Sequence, residues 1–192
     1  MDYRIYEIAE SGKSKLDHVA DMLNDLVNSK QLFFARVLMD SWYACQKLMF
    51  LIEDLGKTYY CPLKKNRLMD DTGGIEKYKS LEKMEGKESE LERGKLIKIK
   101  GFPRDKKVKL FLVTVSTNRT EYVATNDLNQ NSITGVKRIG RERWKIEEFH
   151  RELKQLTGVE SCQGRHSQIQ RNHIACAILV WTFLKKKRLF SR

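Results

Sequence analysis

The sequence predicts an α/β fold, with an antiparallel β subdomain inserted into its core and helices at its C-terminal end. Apolar periods typical of strands and of helices alternate over the first 66 residues. Three segments that alternate polar and apolar side chains follow residue 94, and two segments with a helical period follow residue 140. Because strands and helices that alternate along a chain favour an α/β core, these observations predict the fold class.

The first three predicted elements end at an aspartate. Residues 3–9 alternate polar and apolar side chains, which predicts a strand. Residues 12–28 carry Leu, Val and Ala at a helical spacing. Residues 32–39 form a nearly continuous apolar run that ends in Asp40, which predicts a buried, parallel strand with a carboxylate at its C-terminal end. Ligand sites of open α/β sheets lie at such strand ends.

One helix and one strand complete the predicted core. Residues 43–55 have the period of an amphipathic helix, and Gly56 is expected to end it. Residues 58–63 are predicted as a third strand. The resulting order, β-α-β-α-β, is typical of an α/β core.

The middle of the chain is predicted to be rich in β-structure. Residues 67–94 are rich in Lys, Glu, Asp and Gly, so we expect them to lie at the surface. Strands are predicted at residues 95–100, 108–116 and 121–125 because polar and apolar side chains alternate there. Residues 127–138 are polar and are expected to return the chain to the core.

Two helices are predicted at the C-terminal end. Gly140 precedes the first, which carries Glu147, runs to about Leu156 and ends at Gly158. The second, at residues 166–187, has an apolar face and a basic tail. The chain is therefore predicted to have three parts, a partial core, an insertion and a helical end, at residues 1–66, 67–136 and 137–192.

The charge of the chain indicates a polyanionic partner. The 192 residues have a formal net charge of +12. Residues 137–192 carry 14 Lys and Arg against 5 Asp and Glu, a net charge of +9. Because a basic surface concentrated in one part of a chain is typical of nucleic-acid binding, we expect the DNA-binding surface to be C-terminal.

The sequence predicts a cytoplasmic protein. Its longest apolar stretch, residues 174–184, is interrupted by Thr182 and is shorter than the roughly 20 residues of a membrane span. The first residues are too polar for a signal peptide. The four cysteines show no paired spacing, which is typical of reduced thiols. Four residues could ligate zinc by type, although their spacing matches no common zinc module: Cys162, His166, His173 and Cys176.

Residues 143–154 carry the most informative pattern of the chain. At about 100° per residue, Arg143, Glu147 and Lys154 fall within a narrow arc of one helix face. An apolar stripe lies beside this arc and consists of Ile146, Phe149 and Leu153. A carboxylate between two cations is suited to holding a metal ion near phosphates. The spacing alone favours a simpler interpretation, an amphipathic helix with ion pairs along its surface.

The pattern Arg-x3-Glu-x6-Lys, with Trp after the Arg, resembles the third-carboxylate helix of DDE transposases, and most closely that of the insertion-sequence-four type. That type has a tyrosine where this chain has Gly140. A second block is similar to the region around the family's second catalytic aspartate: Val-Leu-Met-Asp-Ser-Trp-Tyr at residues 37–43, Gly-Lys-Thr-Tyr-Tyr at 56–60 and Leu-Lys-Lys-Asn-Arg at 63–67. The two blocks occur in the family's order, and the resemblance covers nearly the whole chain.

The resemblance implies a ribonuclease H-like core and cut-and-paste DNA transposition, with Mg or Mn as the cofactor. Asp40 and Glu147 match the second and third catalytic carboxylates, which bind the metal. The implied partner is DNA at transposon ends. Contacts to DNA are implied for Arg143 and Lys154 and for Lys64, Asn66 and Arg67. The charge of the chain adds a basic group that either contacts phosphates or is a solvated helix end: Lys185, Lys186, Lys187 and Arg188.

The family's first catalytic carboxylate has no counterpart in this sequence. The family places it upstream of the strand predicted at residues 3–9, and the chain begins just ahead of that strand. The resemblance therefore implies a C-terminal part with a truncated core, which does not cleave DNA alone. Such a chain could form a homodimer, pair with an intact transposase, or act as a DNA-binding module without catalysis.

Two further hypotheses remain open at this point. An active nuclease could recruit a replacement carboxylate, either Glu160 or an acid of a partner chain. An unrelated basic protein would place Asp40 and Glu147 far apart.

The candidate residues also have ordinary structural interpretations. Asp40 could cap the next helix. Glu148 and Glu152 are expected in solvent, and Glu148 is the alternative to Glu147 as the catalytic acid. Trp144 is expected in the core. His150 is expected either beside the metal site or on the helix surface.

Overall fold

The chain has a mixed α/β fold in a computed structural model, which describes residues 3, 6, 12–75, 78–117 and 119–190. Within these ranges it contains five α-helices and one seven-stranded sheet. The helices are α1 (Lys15–Asn24), α2 (Gln46–Asp54), α3 (Glu88–Arg93), α4 (Ile133–Thr157) and α5 (Ser167–Phe190). The strands are β1 (Arg36–Leu38), β2 (Thr58–Leu63), β3 (Leu68–Asp70), β4 (Lys79–Ser80), β5 (Lys95–Ile99), β6 (Val108–Ser116) and β7 (Arg119–Thr125). The predicted fold class is confirmed.

The strands form a single sheet in the order β1-β2-β7-β6-β5-β3-β4. Among the described strands, only β1 and β2 pair in parallel, with Val37 opposite Tyr59. The other pairs are antiparallel, and β7 pairs with β2 through Cys61 opposite Ala124. The three strands predicted after residue 94 are present and continue the sheet from β2. The three-part division at residues 66 and 136 stays a prediction.

Both faces of the sheet are buried. Successive side chains of a strand point to opposite faces, and β2 follows this rule, since Tyr59 and Cys61 belong to one apolar cluster while Tyr60 belongs to another. Helix α2 covers the first face with Leu48, Met49 and Ile52, none of which is exposed to solvent. Helix α4 covers the second face with Val136 and Ile139. The two helices that flank the candidate site are therefore fixed to opposite sides of one sheet.

The N-terminal elements agree only in part with prediction. Helix α1 begins at the N-cap Ser14, whose hydroxyl accepts a hydrogen bond from the Asp17 amide, and a π-helical turn extends it to Ser29. The helix predicted at residues 12–28 is therefore confirmed. The strand predicted at residues 3–9 lies largely outside the described residues; Tyr3 and Tyr6 are described, and neither belongs to a strand.

The buried strand predicted at residues 32–39 is wrong in extent and burial. Strand β1 has three residues, and Phe33 is fully exposed. The chain turns at Gln31, whose φ is +48°, and the Leu32 amide donates back to the Leu26 carbonyl, so the first half of the apolar run is a connection. Its parallel pairing with β2 is as predicted.

The surface excursion predicted at residues 67–94 is also wrong. This segment contributes β3, β4 and α3, and Met69 and Leu81 are completely buried. One of its charged residues, Asp71, is buried and forms ion pairs with two lysines. Burial alone would raise the pKa of Asp71, but the ammonium groups of Lys95, at 2.6 Å, and Lys79, at 3.1 Å, hold this pKa below its usual value.

The C-terminal helices are confirmed, with one correction. Helix α4 ends at the left-handed Gly158, and α5 follows, as predicted. However, α4 begins at Ile133, so Gly140 lies inside the helix rather than before it. The Ser132 hydroxyl caps the helix by accepting from the Gly135 amide, and burial of Val136 and Ile139 outweighs the roughly 1 kcal/mol by which glycine disfavours a helix. No helix in the described part of the chain has the length and apolar character to cross a membrane.

Candidate functional site

The turn after β1 places Asp40 at one end of the sheet. Asp40 follows β1 by two residues, and its Oδ1 accepts a 2.7 Å hydrogen bond from the Trp42 amide. The N-cap of α2 is Cys45, so Asp40 closes its own turn instead of capping the next helix. Asp40 is exposed, and β1 is an edge strand of the described sheet, with β2 on one side of it. Asp40 thus presents a carboxylate at the C-terminal end of a parallel strand, as the sequence predicts.

The middle of α4 places Glu147 beside the same strand end. Val136 and Ile139 fix the start of the helix on the sheet, and Leu153 is buried further along. Glu147 lies between these anchors, with its side chain 52% exposed. It is therefore held by a rigid helix but remains open to a ligand.

Asp40, Arg143 and Glu147 line the same two cavities. The first has a volume of about 450 Å³ and a polar wall that includes Lys65, Arg119 and Glu121. The second has a volume of about 460 Å³ and a mainly apolar wall of residues from α1, β1, α2 and α4. Two carboxylates that are far apart in sequence thus border one space, and the hypothesis of an unrelated protein, which places them far apart, loses its support.

Arg143 is a nearly buried positive charge beneath Glu147. Its side chain is 15% exposed, and its guanidinium lies 3.9 Å from Glu147 Oε1 and 3.6 Å from Glu121 Oε1. The guanidinium carbon also lies 5.4 Å from the ring centroid of Trp144. Arg119 closes the group from β7, with Nη2 2.7 Å from the same Glu121 oxygen. Arg119, Glu121, Arg143 and Glu147 thus form a row of alternating charges. This row holds Arg143 at the cavity wall and orients Glu147 toward the cavity.

Sequence reasoning missed Arg119 and Glu121. They face the site because they are two residues apart on β7, and residues at that spacing lie on one face of a strand. This spacing is the only signal of them in the sequence. Glu121 is a third acid at the 450 Å³ cavity, but two guanidinium groups already bind its carboxylate.

Of the other candidates on α4, Lys154 is separated from the two cavities, whereas His150 is not. Lys154 lines neither of them, and its ammonium lies 2.6 Å from Glu160 Oε1. Glu160 therefore does not reach the space between Asp40 and Glu147. His150 does line the 460 Å³ cavity, and its ring lies 5.3 Å from that of Phe149.

Two expectations for α4 are wrong. Trp144 is 38% exposed and packs on Arg143 instead of entering the core. Glu152 is not free in solvent, because it accepts hydrogen bonds from the Trp181 indole at 3.0 Å and from the Lys185 ammonium at 2.6 Å. Both errors have one cause, since the helical period does not reveal which face a second helix covers. Here α5 covers the face that carries Glu152.

The remaining predicted DNA contacts lie in two places. Lys64, Asn66 and Arg67 line a third cavity of about 390 Å³, which adjoins the Asp40 turn through Ser41. On α5, Lys185 is paired with Glu152 and Lys187 lies over the Phe183 ring, whereas Lys186 is exposed. The side chain of Arg188 is outside the described residues.

Asp40 and Glu147 offer hard carboxylate oxygens, which are the ligands that Mg and Mn prefer. Their donor chemistry fits such an ion, and both side chains border the same two cavities. Within the described ranges, no group of three or more His, Cys, Asp or Glu side chains is placed to hold a metal ion. The cysteine and histidine set considered for zinc is therefore not assembled. A third protein ligand would have to come from elsewhere.

A comparison with known protein families identifies the family of this chain. A family model described as the transposase DDE domain matches residues 6–183 of this chain. The matched range contains both blocks around Asp40 and Glu147. A search among curated proteins found no significant match to the chain.

Proposed function

This chain belongs to the transposase DDE domain family, and we propose on that basis that it derives from a transposase whose activity is DNA strand cleavage and transfer at transposon ends. We assign it to the insertion-sequence-four type with a ribonuclease H-like core. The two sequence blocks around Asp40 and Glu147 support this assignment. The single observation that carries the proposal is that these two carboxylates border one cavity together with Arg143.

Each side chain at the cavity has a distinct role in the proposed chemistry. Asp40 and Glu147 would hold a Mg or Mn ion. Such an ion polarises a phosphodiester oxygen and activates a water molecule for attack. Arg143 keeps Glu147 in position and presents its guanidinium to a phosphate, for which the planar fork of arginine is suited. Lys64, Asn66 and Arg67 would hold the DNA backbone next to the Asp40 turn.

We further propose that this chain alone does not cleave DNA. The support is the number of ligands, because we assign two described carboxylates at the cavity, Asp40 and Glu147, to the metal, while the third acid there, Glu121, is held between Arg119 and Arg143. Two metal ions clamped about 4 Å apart in this enzyme class need more than two carboxylates. The chain would then act as a DNA-binding module or as part of a larger assembly.

A nicking assay combined with a binding assay tests both the proposed DNA binding and the proposed absence of cleavage. The purified chain is incubated with supercoiled plasmid and Mg²⁺ or Mn²⁺, and binding to a short duplex is measured in parallel. We expect salt-sensitive binding without nicking, since the cationic side chains contact phosphates. Nicking that Asp40→Ala abolishes would overturn the proposed inactivity and support an active nuclease. Absence of any DNA binding at low salt would remove the whole proposal.

A second copy of the chain is the partner that we propose for the α5 surface. Four large apolar side chains of this helix are exposed by 47–68%: Ile169, Leu179, Val180 and Phe183. Exposed apolar surface of this kind is typical of protein interfaces. We expect a concentration-dependent dimer in sedimentation equilibrium and its loss in Leu179→Glu. A wild-type monomer at high micromolar concentration would exclude the homodimer.

A further inference from the structure

Strand β1 is an edge of the sheet with a free row of backbone groups. The Thr58 amide donates to the Ala35 carbonyl at 3.0 Å, and from there every second residue along β1 directs its peptide groups to β2. The amides and carbonyls of Arg36 and Leu38 therefore point away from β2. The described sheet has no strand on that side. An edge of this kind is a ready template for pairing with another chain.

The 460 Å³ cavity lies beside this edge. Val37 packs with the apolar cluster on one face of the sheet and Leu38 with the cluster on the other, yet both line the cavity. Helices of both faces also line it, α1 and α2 with Val19 and Ile52, and α4 with Ile146. A space bordered from both faces lies in the plane of the sheet, beyond its last described strand. The cavity is therefore placed where a further strand of the sheet would lie.

Apolar surface continues along this edge beyond the cavity. Leu32 and Phe33 precede β1, and the Leu32 side chain is 53% exposed while that of Phe33 is fully exposed. Edges that face water are commonly protected by charged side chains or proline, whereas residues 37–39 are Val, Leu and Met. Exposed apolar surface next to free backbone groups indicates a protein interface.

A single extended polypeptide segment fits this site better than other occupants. Its amides and carbonyls would pair with those of Arg36 and Leu38, and its alternating side chains would fill both sides of the cavity. DNA has no comparable row of alternating backbone donors and acceptors. A second copy of the chain would bring its own flanking helices against α1 and α4, so two intact edges would collide before they paired.

Arg36 indicates the charge of this segment. The residue is exposed, and its guanidinium has no ion-pair partner among the residues that the structure describes. Opposite charges on neighbouring strands stabilise a sheet. The segment is therefore expected to carry an acidic residue opposite Arg36, next to its apolar part.

We propose that the β1 edge binds an extended segment of a different polypeptide, which adds a strand to the sheet between α1 and α2 on one face and α4 on the other. The segment is apolar on both faces and has an acidic residue opposite Arg36. This inference goes beyond the proposed function and does not depend on it, since the added strand requires neither metal nor DNA.

Fluorescence anisotropy with two labelled peptides tests this proposal. Lys-Glu-Val-Ile-Val-Val-Lys and its reversed sequence place the acid at opposite ends, so they cover both directions in which a strand can pair with β1. We expect one of them to bind at micromolar concentration in chelator and without DNA. Methylation of single amides of this peptide should weaken binding about tenfold at every second position and little at the positions between, because alternate amides of the added strand face β1.

Charge reversal tests the role of Arg36. Arg36→Glu should weaken binding of the preferred peptide about fivefold, and a peptide with Lys in place of its Glu should bind this variant more tightly than the original peptide does. Arg104→Glu is the matched control, since Arg104 is exposed and does not line the cavity. An equal loss in both variants would contradict a local charge pair at the edge.

Hydrogen exchange locates the bound peptide. At saturation the amides of Arg36 and Leu38 should exchange about tenfold more slowly, whereas the amides of β4, the other edge strand of the described sheet, should not change. Failure of both peptides to bind at millimolar concentration, equal effects of methylation at all positions, or protection of β4 instead would overturn the proposal. Protection of Arg36 and Leu38 that rises with protein concentration in the absence of peptide would identify a second copy as the occupant and would also overturn it.

Discussion

Replacing Glu147 with Gln is expected to abolish the increase in DNA affinity that Mn²⁺ gives to this chain. Mg- and Mn-type ions are commonly held by one or two carboxylates together with substrate phosphates. Asp40 and Glu147 border one cavity, and our proposal is that they bind an ion jointly with a DNA phosphate. We expect Mn²⁺ to raise the affinity for a blunt duplex about tenfold, which corresponds to about 1.4 kcal/mol. Asp40→Asn and Glu147→Gln should each eliminate this gain.

The sign of the effect without metal provides an internal control. Each substitution removes a negative charge that repels phosphate, so both variants should bind the duplex slightly more tightly than wild type in chelator. With Mn²⁺ at the same ionic strength the order should reverse. Glu148→Gln is the matched control, since Glu148 is an exposed neighbour on the same helix and lines neither cavity. If Glu148→Gln loses the metal effect and Glu147→Gln keeps it, the assignment of the acid on α4 is wrong.

Gly94→Ala is expected to destabilise the fold by roughly 3 kcal/mol or more. Gly94 has a φ of +80°, and a Cβ there would lie 2.5 Å from the Phe111 ring. Phe111 is completely buried in the cluster that holds Val136 and Ile139 of α4, so the ring has no space to move. The substitution combines backbone strain with overpacking beneath the helix that carries Glu147. Chemical denaturation monitored by circular dichroism measures the loss.

Two other glycines separate these contributions. Gly101 has a φ of +90° with no atom within 4 Å of an added Cβ, so Gly101→Ala should show backbone strain alone, about 1 kcal/mol. Gly140 has a helical backbone and open space around an added Cβ, so Gly140→Ala should stabilise the fold by about 0.5–1 kcal/mol. Equal losses at Gly94 and Gly101 would contradict the predicted clash with Phe111.

Local patterns predicted most elements but not their neighbours in space. The alternation of residues 108–116 is specific for a strand, and β6 has those bounds. The apolar run at residues 32–39 is not specific, because an exposed connection and a buried strand can share the same composition. Within this run, residues 36–38 alone form a strand, which pairs with β2. Residues 67–94 were misjudged because Lys95 and Lys79 neutralise the buried Asp71, which makes a charged segment compatible with burial. Such pairing depends on tertiary contacts that periodicity does not encode.

The sequence predicts those features of the candidate site that lie within one helix or strand. It does not predict the contacts between two elements. Asp40 at a strand end and the i, i+4 pair of Arg143 and Glu147 are local features, and the structure brings them to one cavity. Glu121 reaches Arg143 only because β7 lies beside β2 in the sheet. Glu152 is bound by Trp181 and Lys185 only because α5 packs against α4. Contacts between distant segments require the topology, which single-sequence patterns do not provide.

A crystal of the chain with a short duplex and Mn²⁺ tests the metal site most directly, through the anomalous scattering of manganese. We predict one anomalous peak at about 2.1 Å from a carboxylate oxygen of Asp40 and at a similar distance from one of Glu147, with a DNA phosphate completing the ligands. A peak that contacts only one of these side chains, or that lies at another acidic group while both carboxylates remain unliganded, would contradict the shared site.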